Sequence, residues 1–154
     1  MSQTALATFA RSDELWRTAD WQRLWLATQE RPWRTLALVP GGAGAPLDST
    51  VHIAMALART GMQHMGTQIH VADATELGLS EAAELTSQVR ESARSGLVIV
   101  ALAPVSLNPV TVPIAQAADC ALLCVLLNYM RLAEAKQATE EIGRNHFVGA
   151  VTLG

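Results

Sequence analysis

Between two apolar segments the chain reads Gly41-Gly42-Ala43-Gly44-Ala45-Pro46-Leu47-Asp48-Ser49-Thr50. A glycine-rich turn followed by a hydroxyl pair, set after an apolar run and before a helical pattern, is an arrangement that cradles phosphate. Glycines let backbone N–H groups face the anion, a lysine neutralises the β/γ-phosphates, and a serine or threonine holds Mg²⁺. Against the pattern G-x-x-x-x-G-K-[ST], Gly42 takes the first glycine and Ser49 the hydroxyl, with Thr50 beside it. Leu47 stands at the second glycine and Asp48 at the lysine. A carboxylate there repels the group that the motif binds. No nearby lysine replaces it, because the 11 basic residues are ten arginines and Lys136, far along the chain. The residues leave three readings: a plain strand-to-helix turn capped by Asp48 or Ser49, a weakened nucleotide site, or a site remodelled for another use.

Other groups with chemical potential are scattered. His52, His64, His70 and His146 share no metal-ligand spacing, although His52 and His70 could approach Asp73 near the loop. Cys120 and Cys124 lie in one apolar run; at the rise of a strand they are about 13 Å apart, too far to share a zinc ion. They read as core, and two thiols make no disulfide framework. No metal and no cofactor is expected. The net charge of −3 points away from nucleic acid and anionic membranes.

The elements that must position the loop follow from hydrophobic period. At 154 residues the chain fits one domain, 1–154. From position 35 onward, apolar runs alternate with amphipathic segments. Strands are predicted at Thr35–Pro40, Gln68–Ala72, Leu97–Ala103, Cys120–Leu126 and Phe147–Leu153. Helices are predicted at Ser49–Thr60 (closed by Gly61), Ser80–Ser95, after Pro109, and Arg131–Gly143. Fully apolar strands separated by helices imply a mainly parallel five-stranded sheet covered on both faces, with helical crossovers. No apolar stretch reaches the roughly 18–20 residues of a membrane span, and the first residues lack the order of a signal peptide. A cytoplasmic protein is expected.

All four tryptophans, Trp16, Trp21, Trp25 and Trp33, precede the first strand. A helix over 12–30 is predicted, started by Ser12-Asp13-Glu14 and stopped before Pro32. Trp21, Leu24, Trp25 and Thr28 fall on one face of it. Such a stripe can pack on the protein's own sheet, meet a like or unlike subunit, or lie on a membrane surface. The expectation carried forward is an interface built on Trp16, Arg17, Trp21 and Trp25, used for self-association or partner binding.

The chain from Glu14 to about Leu153 resembles the bacterial tyrosine kinases and chain-length regulators of capsule and exopolysaccharide synthesis, relatives of the ParA/MinD ATPases. Glu14-Leu15-Trp16-Arg17 is similar to the first half of their E-x-x-R-x-x-R helix, with Asp20 in place of the second arginine. Val71-Ala72-Asp73 keeps only Asp73 of an acidic I-D-x-D motif. Val98–Pro104 resembles the Walker B strand V-I-I-D-T-P-P, with Ala101 in the aspartate's place and Pro104 retained. Ile114–Val125 and the closing NHFVGAVTLG are similar to A-x-x-A-D-x-x-L-L-V-V and N-x-x-G-x-V-L-N. The tyrosine cluster is absent, Tyr129 being the only tyrosine.

The resemblance implies a three-layer α/β domain like that of P-loop NTPases, 35–154, preceded by the Trp-rich helix. Lysine, second acidic motif and Walker B acid are missing together, and phosphoryl transfer depends on cations around the phosphates. The expectation is therefore not an enzyme but a pseudokinase-like adaptor or regulator in exopolysaccharide biosynthesis and export. It would bind the cytoplasmic side of a membrane synthesis complex or a like subunit, peripheral to the inner membrane through that partner. The alternatives are an unorthodox nucleotide-binding ATPase, and a ParA/MinD-like positioning adaptor unrelated to polysaccharide.

Overall fold

A computed structural model of the chain describes residues 19–126 and 131–153. Among them are five strands, β1 (Thr35–Pro40), β2 (Ile69–Ala74), β3 (Leu97–Leu102), β4 (Cys120–Leu126) and β5 (Phe147–Leu153). Five α-helices accompany them: α1 (Ala19–Thr28), α2 (Ser49–Met65), α3 (Ala82–Ser92), α4 (Thr111–Ala117) and α5 (Leu132–Ile142). The five strands form one all-parallel sheet in the order β2-β3-β1-β4-β5. The loop-bearing strand β1 is central, paired to β3 (Leu38 opposite Ala101) and to β4 (Leu38 opposite Leu122).

Strand residues alternate between two cores. Leu36, Leu38, Ile99, Ala101, Cys120 and Leu122 face α1 and α2, while Ala37, Val39, Val98, Val100 and Ala121 face α3, α4 and α5. The crossover from β1 to β2 moves one way across the sheet and places its helix on one face. The three later crossovers move the other way and place theirs on the opposite face. Crossovers of a single hand require that division.

Three elements differ in their bounds from expectation. Helix α2 does not stop at Gly61 but continues to Met65, where Gly66, at φ 69°, donates its N–H to the Met62 carbonyl at 2.8 Å. Gly61 is inside the helix because no side chain fits there. A Cβ would lie 2.5 Å from Cζ3 and Cη2 of Trp25 and from Cδ1 of Ile69. Strand β2 runs two residues past the predicted end and takes Asp73 onto the sheet edge. Helix α3 is shorter than predicted and follows a single 3₁₀ turn, Leu79–Glu81.

The tryptophan helix is a correction. Trp21 is 1% exposed and Trp25 fully buried; both belong to the core between α1, α2 and the sheet. Trp33 meets Trp25 edge to face, with centroids 5.8 Å apart, and its indole N–H donates to the Thr28 carbonyl at 3.0 Å. Thr28 in turn donates its hydroxyl to the Trp25 carbonyl at 2.7 Å. These indoles fill their own domain and present no face to a partner. The helix ends at Thr28, two residues before the predicted end, and its predicted start, with Trp16 and Arg17 of the interface, lies outside the described residues.

Candidate functional site

In parallel α/β sheets ligands bind where neighbouring strands send their connections to opposite faces. Here that point is the carboxyl end of β1, flanked by β3 and β4, so topology and the glycine-rich loop indicate the same place. The loop leaves β1 still tied to the sheet, the Gly41 N–H donating to the Cys124 carbonyl at 2.8 Å. Before α2 the Ser49 N–H donates to the Pro46 carbonyl at 3.0 Å, closing a turn.

Two of the groups that would meet a phosphate, the Ala43 amide and the Thr50 hydroxyl, are engaged within the chain. The Ala43 N–H donates to Oε2 of Glu134 at 2.9 Å, and the other oxygen of Glu134 accepts from the Ser106 hydroxyl at 3.4 Å. A carboxylate of the protein thus sits on the loop amide where an anion would be received. Thr50, buried, donates its hydroxyl to the Leu102 carbonyl at the end of β3 at 2.9 Å. Ser49 is also buried. Asp48 occupies the N-cap position of α2, but its side chain makes no capping bond. It lies in solvent, 3.9 Å from Nε2 of His52.

Among the described residues positive φ occurs at Gly66 and Gly143, neither in the loop. The loop is therefore not the alternating right- and left-handed nest that gathers N–H groups around an anion. Gly41, Gly42 and Gly44 adopt conformations open to other residues. The space beneath the loop measures about 10 Å³, lined by Pro40, Gly42, Pro46, Ser49, Pro104 and Leu126 among others. That is room for one water molecule at most.

Around the loop, sequence-selected positions stand close but without cooperative chemistry. Asp73 and Ala101 are register partners on β2 and β3, and Ala101 is opposite Leu38 of β1. Ala101 is fully buried, so a methyl group lies where a metal-holding acid would stand. Asp73 turns to its own strand end, accepting the Thr75 N–H at 3.0 Å and the Thr75 hydroxyl at 2.6 Å. His52 belongs to α2 and His70 to β2, and among the described residues no group of three or more His, Cys, Asp or Glu could hold a metal ion. His146, on the other end of the sheet, lies 2.7 Å from the Ala115 carbonyl.

Cys120 and Cys124 both face the first core. Burial pushes the Cys124 thiol up to about 12. Burial likewise raises Cys120 to about 11, with Arg31 opposing that rise and Asp119 adding to it. Both thiols stay protonated near neutrality and cannot act as nucleophiles.

A larger cleft of about 230 Å³ lies at the opposite end of the sheet, between α3 and α4. Arg34 and Asp119 in its lining have structural partners, and Arg90 lines it as well. The Arg34 guanidinium donates to the carbonyls of Ala93, where α3 ends, and Gly96, and Asp119 accepts the N–H groups of Arg34 and Thr35 at 2.7 and 3.1 Å. Beside the cleft, Leu85 and Val89 of α3 pack against the core while only partly buried.

Comparison with family models, with curated proteins and with solved structures gives no match to the chain.

Sequence reasoning missed Glu134 and Ser106. An acid in the first turn of a helix reads as ordinary complement to the helix dipole, and nothing local reveals that this one crosses to the β1 loop. The only hint was the loop itself, whose amide needs an acceptor once no phosphate is there.

Proposed function

We propose that this chain is a non-catalytic protein of P-loop-like architecture that acts by binding protein partners, as an adaptor or regulator in bacterial exopolysaccharide biosynthesis and export. The reading is supported above all by Glu134, whose carboxylate receives the Ala43 N–H at 2.9 Å and so occupies the loop against an incoming phosphate. Asp48 in the cation's place and the small apolar space beneath the loop point the same way. Nucleotide binding would require opening the loop, expelling Glu134 and seating phosphates beside Asp48, with no lysine near to offset the repulsion.

The polysaccharide assignment rests on the resemblance of the strand and loop segments to the tyrosine kinases of capsule synthesis, and on the strand order, in which β1 and the Walker B-like β3 are neighbours. Among the described residues no helix is long and apolar enough to cross a membrane, so attachment to a membrane complex would pass through a partner. The first experiment is calorimetry with ATP and Mg²⁺ on the full chain. No heat of binding and no phosphate release are expected; micromolar affinity or turnover overturns the non-catalytic reading. Deleting the gene in its own host tests the pathway: unchanged amount and length of surface polysaccharide would remove that part of the proposal.

A further inference from the structure

Past the carboxyl ends of β1, β2, β3 and β4 a leucine stands out in solvent: Leu47 (43% exposed), Leu79 (76%), Leu107 (56%) and, as the first residue of α5, Leu132 (75%). They are four of the seven large hydrophobic side chains exposed among the described residues. Their strands are adjacent in the sheet, so the row runs Leu79, Leu107, Leu47, Leu132. Scattered surface leucines need no explanation, but one beyond each of four neighbouring strand ends makes that edge apolar.

The connections are also fastened to one another. Asn108 donates its side-chain N–H to the Leu77 carbonyl at 2.8 Å, joining the connections after β2 and β3. Glu134 joins Ala43, Ser106 and the start of α5, and Thr50 joins α2 to the end of β3. The leucines thus stand on one frame, and a ligand would not have to order four separate loops.

The surroundings of the row are acidic. Asp48, Asp73, Glu76, Glu81 and Glu134 all lie at this end, where the described cations are Arg131 and, one turn into α5, Lys136. At the opposite end Arg94 and Arg144 meet acids, Glu91 at 3.3 Å and Glu140 at 3.6 Å, while Arg31 and Arg34 donate to backbone carbonyls.

We propose that this edge is the docking surface for a basic amphipathic helix of a partner protein. Its apolar residues, at i, i+3, i+4 and i+7, would lie along the leucine row, and its lysines and arginines would face the carboxylates on the flanks. Four adjacent strand ends span roughly 15 Å at about 4.8 Å per strand, which matches about ten residues of helix. The proposal rests on the adaptor reading and gives the partner a chemistry; it is independent of whether ATP binds.

The test uses the full chain and two peptides of about five helical turns, equal in leucine and lysine content. One has its leucines in a single stripe and the other has them scrambled. Fluorescence anisotropy at physiological salt should show the striped peptide binding at least about tenfold tighter than the scrambled one. Leu79→Ser with Leu132→Ser should erase about that same factor, while Met55→Ser with Met65→Ser, exposed on α2, should change affinity by less than about twofold. All four positions are in solvent, and circular dichroism confirms that the variants fold. Equal affinity for both peptides, an unaffected leucine variant, or an equal loss in the methionine variant overturns the proposal. So does sedimentation in which the leucine variant abolishes self-association while peptide affinity is unchanged, since the occupant is then a second copy.

Discussion

Gly61 shows how one residue can be read correctly as special and wrongly as to why. A glycine after an amphipathic segment signals a helix end, yet here the helix passes through it and Gly66 carries the left-handed cap. In an exposed helix Gly→Ala gains about 1 kcal/mol of propensity. At Gly61 the added methyl would instead meet the Trp25 ring and Ile69 at 2.5 Å, and buried ring carbons have little freedom to retreat. Overpacking of that kind costs about 1–3 kcal/mol. Gly61→Ala is therefore expected to lower the urea midpoint despite better helix propensity, and Trp25→Phe should recover part of the loss in a double-mutant cycle. A midpoint raised by Gly61→Ala would mean that the helix and the indole are not in contact. Glu134 works at the same scale: one carboxylate closes the loop by an ordinary hydrogen bond, worth about 1.5–3 kcal/mol when a charged group accepts it in a shielded place.

Among the elements, α1 carries the two largest fully buried side chains, Trp21 and Trp25. Its stripe of Trp21, Trp25 and Thr28 is buried on α2 and the sheet, and Trp33 closes over the end of it. Truncating a buried tryptophan costs about 3–5 kcal/mol, against a total stability of about 5–15 kcal/mol for a domain. Trp21→Ala with Trp25→Ala is thus expected to unfold the domain, seen as loss of the cooperative circular-dichroism transition. A double mutant that melts like the wild type would return the stripe to the surface. This reverses the expectation from the sequence pattern, in which Trp21 and Trp25 formed an interface. Helix α3 is the contrast: it has no buried residue, and the Arg34 guanidinium fastens its carboxyl end by donating to the Ala93 carbonyl.

The whole molecule explains why the loop cannot be repaired by local substitution. The carboxyl edge of the sheet is one bonded frame, in which the β1 loop is held by α5 through Glu134 and α2 is held by β3 through Thr50. Replacing Leu47 by glycine and Asp48 by lysine restores the letters of the motif but not a cradle. The amide remains occupied, and the space beneath is still about 10 Å³. Calorimetry with inorganic phosphate should therefore register no binding to Leu47→Gly/Asp48→Lys. Measurable affinity in that double variant would show that side chains alone had closed the site.

The sequence by itself determined the architecture. Apolar runs spaced by amphipathic segments placed β1, β4 and β5 at their observed bounds, because fully buried parallel strands leave a continuous hydrophobic signature that needs no knowledge of neighbours. It also located the candidate loop and the charge reversal at Asp48, both visible as residue types at fixed spacing. Tertiary structure alone decided three things. Trp25 is core because the Gly61 gap lies across from it on α2, a fit between segments more than thirty residues apart with no local trace. Glu134 occupies the loop because α5 begins beside β1 in space and far from it in sequence. The leucine row exists only because the sheet order makes neighbours of β2, β3, β1 and β4, so that four unremarkable residues come to share one edge. Periodicity reports which face of an element is buried; which elements meet across that face is set by packing, and packing is written in pairs of residues that the chain keeps far apart.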